Sequence, residues 1–425
     1  MLASTGQAEG RGGGRGLRVF IDARLADGTP GGVQQELIGL AAGLSGLEDG
    51  EDEFLFLAEE GTAEWLVPHL RGRCRLATFR RPLGWRALGR RLVPRRLDGL
   101  ALRAASFLPV EVPPSNGLLE GTGAQVVHFA LQHGFVTALP SIYSPQDLQH
   151  RHFPGFFSRY DLRWREAFYP ALCRQASRVV ALSRWGKRDL VEQLGLAEGK
   201  VHVIGLAPAV DAYPVPQPAA VQEASSRLGL PDAFAYYPAQ TFVHKNHLRL
   251  LEALALLRAR HGVEIPLVCS GRQNEHYPAI EERVRRLGLG SLVRFTGFVS
   301  PADVQALYAR ARMLVFPSLF EGFGMPVLEA FRAGVPVACS RATSLPEVAG
   351  EGALLFDPES VEDMAQAMRR VWAEPDLRGT LAEAGRACLA GVSWDRIARR
   401  YRALYRLVAG WRLDEADQAL LRETG

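Results

Sequence analysis

The sequence predicts an α/β protein with two Rossmann-like, doubly wound domains that face a cleft. Short apolar strands alternate with amphipathic helical segments, which is typical of parallel sheets covered by helices. The alternation stops at a proline-rich stretch, residues 208–218, and then starts again. A chain of 425 residues is also long for one hydrophobic core. In such folds we expect a ligand at the carboxyl ends of the strands.

The predicted strands form two series, one on each side of the proline-rich stretch. The first series is 17–22, 53–57, 125–129, 139–143, 178–182 and 200–204. The second is 234–237, 266–270, 292–295, 313–316, 335–338 and 353–356. The predicted order along the chain is therefore a flexible tail (1–16), an N-terminal domain (17–207), a linker (208–232) and a C-terminal domain (233–393).

Composition narrows the class of protein. The hydrophobic content of 47% is typical of a globular protein. The absence of an apolar run of about 18 residues predicts no transmembrane helix, and the glycine-rich N-terminus predicts no signal peptide. The 5 cysteines are scattered without metal-ligand spacing, as in reduced cytosolic proteins. We therefore expect a cytoplasmic protein.

One segment, residues 71–103, is rich in arginine and has Asp98 as its acidic residue. Apolar side chains such as Trp85 and Leu88 lie between the arginines. This pattern is typical of a basic amphipathic element on an anionic membrane surface, which would make the protein peripheral at the inner membrane face. A solvated arginine-rich face explains it equally well. Nothing else in the chain favours a nucleic-acid partner, so none is expected.

The most informative stretch runs from Phe316 to Val337. It predicts a strand, a tight loop with Gly322, Phe323 and Gly324, and a helix over 326–333. The N-terminus of that helix would favour an anionic phosphate. Two carboxylates stand eight residues apart in it, Glu321 in the loop and Glu329 in the helix. Carboxylates accept hydrogen bonds from sugar hydroxyls rather than bind phosphate.

These residues resemble the two-glutamate motif of retaining, nucleotide-sugar-dependent glycosyltransferases of the GT-B type, in glycosyltransferase family 4 (the mannosyltransferase-like group 1). The resemblance continues through residues 330–340 and 344–350. It implies the GT-B fold and a final segment, 394–425, that crosses back to the N-terminal domain. It also implies that Glu321 and the loop backbone hold the donor sugar and that Glu329 holds the ribose.

Other segments fit the same resemblance. Gly31 and Gly32 follow the first strand, precede a predicted helix at 36–44 and would lie under the donor diphosphate. Lys245 is suited to the diphosphate leaving group, with Asn246 as a helix N-cap. The family commonly has an arginine before this lysine, but Ala239 or Gln240 stands there. Another arginine would have to supply that charge.

Further site residues are expected at other strand ends. Asp147 best matches a family position that contacts the donor sugar or the acceptor, and His150 and His152 are its neighbours. Arg272 is a spare phosphate cation. Ser183 is explained more simply as the N-cap of the helix that follows it. Phe298 and Val299 resemble the loop that presents backbone groups to the nucleotide base, which makes Val299 a further donor-binding candidate.

The predicted activity is that of a metal-independent, retaining hexosyltransferase without a cofactor. The first choice of donor is GDP-mannose, and the expected acceptor is a glycan or a lipid-linked sugar in cell-surface polysaccharide synthesis. UDP- or dTDP-linked donors, a phosphorylase or sucrose-synthase-type reaction, and a non-catalytic subunit of the same fold remain alternatives. A nicotinamide dehydrogenase is disfavoured because no Gly-x-Gly-x-x-Gly fingerprint follows the first strands.

Overall fold

The computed structural model describes residues 16–25, 31–79, 110–117 and 119–423. These residues form two compact units. Unit 1 comprises the described residues up to 181, residues 187–204, and those from 397 onwards. Unit 2 comprises residues 182–186 and 205–396. The chain therefore returns to the first unit at its C-terminal end.

Unit 1 is built on a fully parallel sheet of 7 strands in the order β3-β2-β1-β4-β5-β6-β7. The strands are β1 (Arg18–Asp22), β2 (Glu53–Glu59), β3 (Cys74–Phe79), β4 (Val126–Phe129), β5 (Ser141–Tyr143), β6 (Arg178–Ala181) and β7 (Val201–Val203). The order reverses between β1 and β4. Ligands of doubly wound sheets bind at such a switch point.

The helices of the N-terminal half are α1 (Gly32–Ser45), α2 (Gln149–His152), α3 (Arg159–Gln175) and α4 (Arg184–Leu194). Two C-terminal helices, α13 (Trp394–Val408) and α14 (Glu415–Arg422), complete the fold. Helix α13 is fixed to unit 1 by buried polar contacts. Arg406 pairs with Asp52 at 2.8 Å, and the Tyr405 hydroxyl lies 2.9 Å from Nδ1 of His128.

Unit 2 repeats the architecture with a parallel sheet of 6 strands in the order β10-β9-β8-β11-β12-β13. The strands are β8 (Ala235–Pro238), β9 (Leu267–Ser270), β10 (Val293–Gly297), β11 (Met313–Phe316), β12 (Val337–Ser340) and β13 (Ala353–Phe356). Strands β9, β11 and β12 are buried throughout, as expected for strands covered on both faces.

The helices of unit 2 surround this sheet. They are α5 (Pro218–Leu228), α6 (His247–His261), α7 (Tyr277–Arg286), α8 (Pro301–Arg310), α9 (Met325–Arg332), α10 (Leu345–Ala349), α11 (Val361–Ala373) and α12 (Pro375–Cys388). One core joins sheet and helices, and its largest side chains include Tyr236, Tyr308 and Phe316. The predicted fold class, GT-B with two Rossmann-like domains, is confirmed by these two sheets.

Three local predictions differ from the structure. The segment 208–232 is not a plain linker, because it contains α5 and belongs to unit 2. Residues 74–79 form edge strand β3 and not part of a basic amphipathic element, while residues 80–103 of that prediction lie outside the described residues. Helix α1 begins at Gly32 and not at Glu36.

Candidate active site

The loops after β8 and β11 carry the main candidate residues of unit 2. These two strands pair in parallel at the switch point of the sheet. The loop after β8 contains Gln240 and Lys245, and the loop after β11 contains Glu321 and the 322–324 turn. Because the carboxyl ends of parallel strands lie at the same edge, residues from distant parts of the sequence meet there.

Lys245 and Glu321 form an ion pair across this switch point. Nζ of Lys245 lies 2.5 Å from Oε1 of Glu321, and the two side chains are 16% and 14% exposed. The ammonium also lies 5.5 Å from the ring centroid of Phe316, on the face of the ring. A charge-assisted bond of this kind, shielded from water, sets both side chains in place before a ligand arrives.

The backbone around Lys245 is held by buried hydrogen bonds. The hydroxyl of Tyr237 donates to the Lys245 carbonyl at 2.6 Å, and the Leu319 N–H donates to the His244 carbonyl at 2.8 Å. Asn246 has a left-handed backbone and donates through Nδ2 to the carbonyls of Pro317 and Pro358. It occupies the N-cap position of α6, but its side chain makes no capping bond, so the predicted capping role is wrong.

The Glu321 backbone is held by the residues before α10. The Glu321 N–H donates to Oγ1 of Thr343 at 3.0 Å, and the Thr343 hydroxyl donates back to the Glu321 carbonyl at 2.9 Å. The Ser344 hydroxyl lies within 2.9 Å of the Glu321 and Phe323 carbonyls. Thr343 itself has a positive φ of 50°. The sequence motif contained Ser344, but we had predicted no role for it.

Gly324 makes the turn into α9 possible. Its φ of 112° lies in a region that L-residues rarely adopt, and a Cβ there would meet Cδ2 of Leu345 at 2.5 Å. Helix α9 begins at Met325, with Pro326 in its first turn, and within the described residues no side chain caps it. Pro326 has no N–H and the Val327 N–H donates to the Gly324 carbonyl at 3.0 Å, so within the described residues the Met325 N–H is the first-turn donor that remains for an anionic group.

Glu329 is a buried carboxyl on α9. It is 9% exposed, and its Oε2 accepts a hydrogen bond from the Tyr308 hydroxyl at 2.8 Å. Burial raises the pKa of Glu329 to about 7, the Tyr308 bond lowers it in part, and Asp211 adds to the rise. The carboxyl therefore changes charge near neutral pH, which is typical of functional sites.

The other donor candidates of unit 2 lie on neighbouring loops. The Thr241 N–H donates to the Arg272 carbonyl at 3.2 Å, which joins the loops of Gln240 and Arg272. Gly271 allows this approach, because a Cβ there would meet the Ala239 carbonyl at 2.5 Å. The Arg272 side chain is exposed, and Val299 packs against the core beside exposed Phe298.

Ser183 also reaches the glycine-rich turn. Its hydroxyl lies 3.1 Å from the Gly322 carbonyl, and its oxygen accepts the Gly186 N–H at 3.0 Å. The first two amides of α4, those of Arg184 and Trp185, donate to the Glu347 carboxylate at 2.8 and 3.1 Å. Ser183 therefore makes a capping bond, as its plain explanation predicts, and also supports the candidate site.

The candidates of unit 1 lie at its own switch point. Gly31 precedes α1 with an extended backbone, and Gly32 is exposed in the first turn. One turn on, Glu36 is buried, and burial raises its pKa to about 7. Its Oε2 accepts a hydrogen bond from Nε2 of Gln146 at 3.0 Å, and Gln146 has a positive φ of 72°. This pair was not predicted from the sequence.

Asp147 has a structural contact in unit 1. Its Oδ1 accepts the Gln149 N–H at 2.9 Å, at the start of α2. His150 is buried, and burial lowers its pKa to about 4. His152 lies 2.7 Å from Oδ1 of Asp189. The predicted catalytic role of Asp147 therefore stays a prediction, beside a demonstrated contribution to the local fold.

The described ranges contain neither a candidate membrane span nor a candidate metal site. No helix in those ranges is both long and apolar enough to span a bilayer. In the same part of the chain, no three His, Cys, Asp or Glu side chains are grouped as metal ligands.

Comparisons with protein families match both halves of the chain. The model of the glycosyl transferases group 1 matches residues 221–387, and the model of glycosyltransferase family 4 matches residues 67–207. The chain belongs to the group 1, family 4 glycosyltransferases. The predicted family is thus confirmed.

Curated relatives of this glycosyltransferase include several mannosyltransferases. It is 28% identical over 256 residues to the O-antigen chain mannosyltransferase B of Escherichia coli, covering 60% of this chain and 67% of the relative. It is 31% identical to the serotype-specific mannosyltransferase WbdA of Escherichia coli over 56% of this chain, but spans 30% of that relative's length. Identity to the MMP alpha-(1->4)-mannosyltransferase of Mycolicibacterium hassiacum is 29%, over 55% of each chain.

Solved structures support the fold alone. Anabaena Alr3699/HepE, in complex with UDP and glucose, superposes with a TM-score of 0.66 at 20% identity, covering 91% of this chain and 98% of that one. WaaG, a glycosyltransferase involved in lipopolysaccharide biosynthesis, gives a TM-score of 0.63 at 16% identity, covering 92% and 99%.

The candidate site in unit 2 combines three chemical features at one sheet edge. Lys245 supplies a cation, the start of α9 supplies a backbone donor, and Glu321 and Glu329 supply hydrogen-bond acceptors. A cation and an amide suit a diphosphate, whereas carboxylates suit hydroxyl groups. The Lys245–Glu321 pair was not predicted. The sequence does place opposite charges after two strands that could flank a switch point, and this pattern could have predicted the ion pair.

Proposed function

We propose that this glycosyltransferase moves a mannosyl group from GDP-mannose to a glycan or lipid-linked acceptor, with retention of the anomeric configuration. The donor proposal is supported by the relatives named as mannosyltransferases, one of which acts on O-antigen chains by name. A role in cell-surface polysaccharide synthesis agrees with that name.

The observation that carries this proposal is the Lys245–Glu321 ion pair beside the start of α9 and the buried Glu329. Lys245 meets the diphosphate and Glu321 meets hydroxyls of the transferred sugar. These two side chains pair with each other, and a bound donor would replace that one contact by two.

The proposed reaction breaks the bond between the anomeric carbon and the β-phosphate oxygen and forms a bond from that carbon to the acceptor oxygen. Lys245 and the N-terminus of α9 stabilise the negative charge on the departing diphosphate. The acceptor proton passes to the diphosphate oxygen that leaves. Glu321 and the 322–324 backbone hold the sugar, and Glu329 holds the ribose.

Supporting roles follow for the remaining candidates. Gln240 and Arg272 line the phosphate side of the loops, Val299 offers backbone groups to the base, and Asp147 contacts the sugar or the acceptor. In this scheme the Lys245 cation and the N-terminus of α9 offset the negative charge of the diphosphate. The proposed reaction therefore needs no metal ion. We further propose a cytoplasmic enzyme that meets its acceptor at the inner membrane face through the arginine-rich residues 80–103.

A UDP-linked donor is the second candidate. It is favoured by the fold neighbour that was solved with UDP and glucose. A dTDP-linked donor is a further member of this class. A non-catalytic subunit with the same fold is less favoured, because Lys245 and Glu321 are both present and already paired.

A transfer assay tests the proposal. The protein is incubated with GDP-mannose and a mannose-terminated oligosaccharide in EDTA, and the product is analysed by NMR. An α-mannosyl product from the α-linked donor supports both donor and retention. A β-linked product contradicts retention, and transfer from UDP-glucose but not from GDP-mannose contradicts the donor. No transfer by a protein that binds the nucleotide favours the non-catalytic alternative.

A further inference from the structure

Tyr308, on α8, contacts a residue of the proposed donor site, Glu329. The sequence did not indicate this contact. The Tyr308 side chain is 1% exposed, and its ring packs edge-on against Tyr236 of β8 with centroids 5.0 Å apart. Its hydroxyl lies 2.8 Å from Oε2 of Glu329 and 3.2 Å from the Pro326 carbonyl. One phenol therefore contacts both the first turn of α9 and the carboxyl that follows it.

The geometry assigns different tasks to the two oxygens of Glu329. Oε2 accepts the Tyr308 hydrogen bond, whereas Oε1 has no hydrogen-bond partner among the described residues. Because Oε2 is engaged and the side chain is 9% exposed, Oε1 is the oxygen that remains to accept a hydrogen bond from a ligand. Since Oε2 is fixed, the orientation of Oε1 is fixed too.

We propose that Tyr308 is a positioning residue for donor binding: it holds Oε2 of Glu329 so that Oε1 accepts a hydrogen bond from a ribose hydroxyl of the nucleotide. This inference rests on the proposed function, because it needs a nucleotide in the unit 2 site. Tyr308 does not touch the ligand and acts through Glu329.

The phenol serves Glu329 in both of its charge states. Burial raises the pKa of Tyr308 well above its ordinary value, so the phenol keeps its proton. When Glu329 is ionised, that proton bonds Oε2. When Glu329 is protonated, its own proton can bond the phenol oxygen while the phenol proton turns to the Pro326 carbonyl, which lies within reach.

Two other titratable groups act on the Tyr308–Glu329 pair. Tyr236 of β8 faces Glu329, and its hydroxyl is engaged by Ser270 at 2.6 Å. Asp211 acts on Glu329 from the segment before α5 and is paired with Arg332 of α9 at 2.6 Å. Neither Tyr236 nor Asp211 donates a hydrogen bond to the Glu329 carboxyl, so Tyr308 is its donor among the described residues.

The test compares Tyr308→Phe with Tyr236→Phe, which also removes one buried hydroxyl from the same core. Each variant is titrated by calorimetry at pH 7.5 with two probes, GDP and 2′,3′-dideoxy-GDP. If UDP is the nucleotide that binds, the probes are UDP and 2′,3′-dideoxy-UDP. We expect Tyr308→Phe to weaken GDP binding by roughly 3- to 10-fold and dideoxy-GDP binding by less than about 2-fold. Tyr236→Phe should leave the binding of both nucleotides unchanged.

Equal losses for both probes would show a merely structural role for Tyr308 and overturn the inference. So would unchanged GDP binding in Tyr308→Phe, or a wild type that does not distinguish the two probes. If Tyr308→Phe does not fold, Tyr308→Met, which also removes the hydroxyl, replaces it and must give the same selective loss. A wild type that binds neither GDP nor UDP refutes the proposed function, and the inference with it.

Discussion

Nζ of Lys245 lies 2.5 Å from Oε1 of Glu321, although 76 residues separate them in the sequence. The pair joins the first and fourth strands of the unit 2 sheet in chain order, at the point where the strand order reverses. A ligand that carries both a diphosphate and a sugar could engage both partners. A ligand that carries only one of these groups must compete with the ion pair.

The first prediction concerns Lys245. Lys245→Ala should lower the turnover number by roughly 10²-fold or more, because the ammonium stabilises charge that develops on the leaving diphosphate. Initial rates of mannosyl transfer at saturating donor measure this. Lys200→Ala is the matched control, since Lys200 lies elsewhere and donates to the Arg174 carbonyl. Near-normal turnover of Lys245→Ala would remove Lys245 from the site.

The second prediction separates the two partners of the ion pair. Glu321→Gln should lower transfer by about 10-fold or more, because the carboxylate holds sugar hydroxyls. It should also tighten the binding of GDP alone by a few fold, because Lys245 no longer has to leave an anionic partner. Calorimetry with GDP and with GDP-mannose reports both effects. Weaker binding of GDP in this variant would contradict competition between Glu321 and the diphosphate.

The third prediction concerns stability and pH. Burial raises the pKa of Glu329 to about 7 from an ordinary value of 4.5. The folded state then binds more protons than the unfolded state between these values, so the free energy of unfolding falls as pH rises through this window. The loss is on the order of 3 kcal/mol, at about 1.4 kcal/mol per pKa unit.

Glu329→Gln should remove that fall, so urea unfolding at pH 5, 6, 7 and 8 should show a flatter profile than the wild type. Glu36 contributes a separate fall of the same sign, because burial also raises its pKa to about 7. Glu383→Gln, at an exposed position of α12, is the control and should leave the profile unchanged. An identical slope in Glu329→Gln and wild type would contradict the burial argument.

The fourth prediction concerns the turn into α9. Gly324→Ala should destabilise the protein by about 2 kcal/mol or more, since its φ is 112° and the new Cβ would meet Leu345. Gly379→Ala in α12 is the control, because a Cβ there meets nothing within 4 Å. The control should be neutral or stabilising by about 0.5–1 kcal/mol in thermal unfolding. Similar effects of both changes would rule out the strain argument.

Much of the fold was predictable because buried parallel strands are continuous apolar runs. Met313–Phe316 and Ala353–Phe356 were placed at the observed residues. Strand β3 was missed because Arg75 and the arginines around it obscure an edge strand whose side chains are only half-buried. Helix α5 was missed because the prolines before it resemble a linker.

The sequence indicated candidate site residues, but not their contacts. The motif around Glu321 indicated which side chains are candidates for chemistry. It could not indicate that Tyr308 bonds Glu329, that Thr343 and Ser344 hold the Glu321 backbone, or that Gln146 bonds Glu36. Each of these contacts joins residues that are distant in sequence, and periodicity reports only local structure.

The most direct test of the central claim is thermal unfolding of wild type and Lys245→Ala with GDP, UDP, dTDP and ADP and their common sugar conjugates, with EDTA or Mg²⁺. A ligand at about 100 times its Kd stabilises the folded state by roughly 2.7 kcal/mol, which is readily measured. We predict that GDP and GDP-mannose stabilise the wild type in EDTA and that Lys245→Ala loses most of this effect. Stabilisation by none of the nucleotides, or equal stabilisation of both proteins, would contradict a donor site at Lys245.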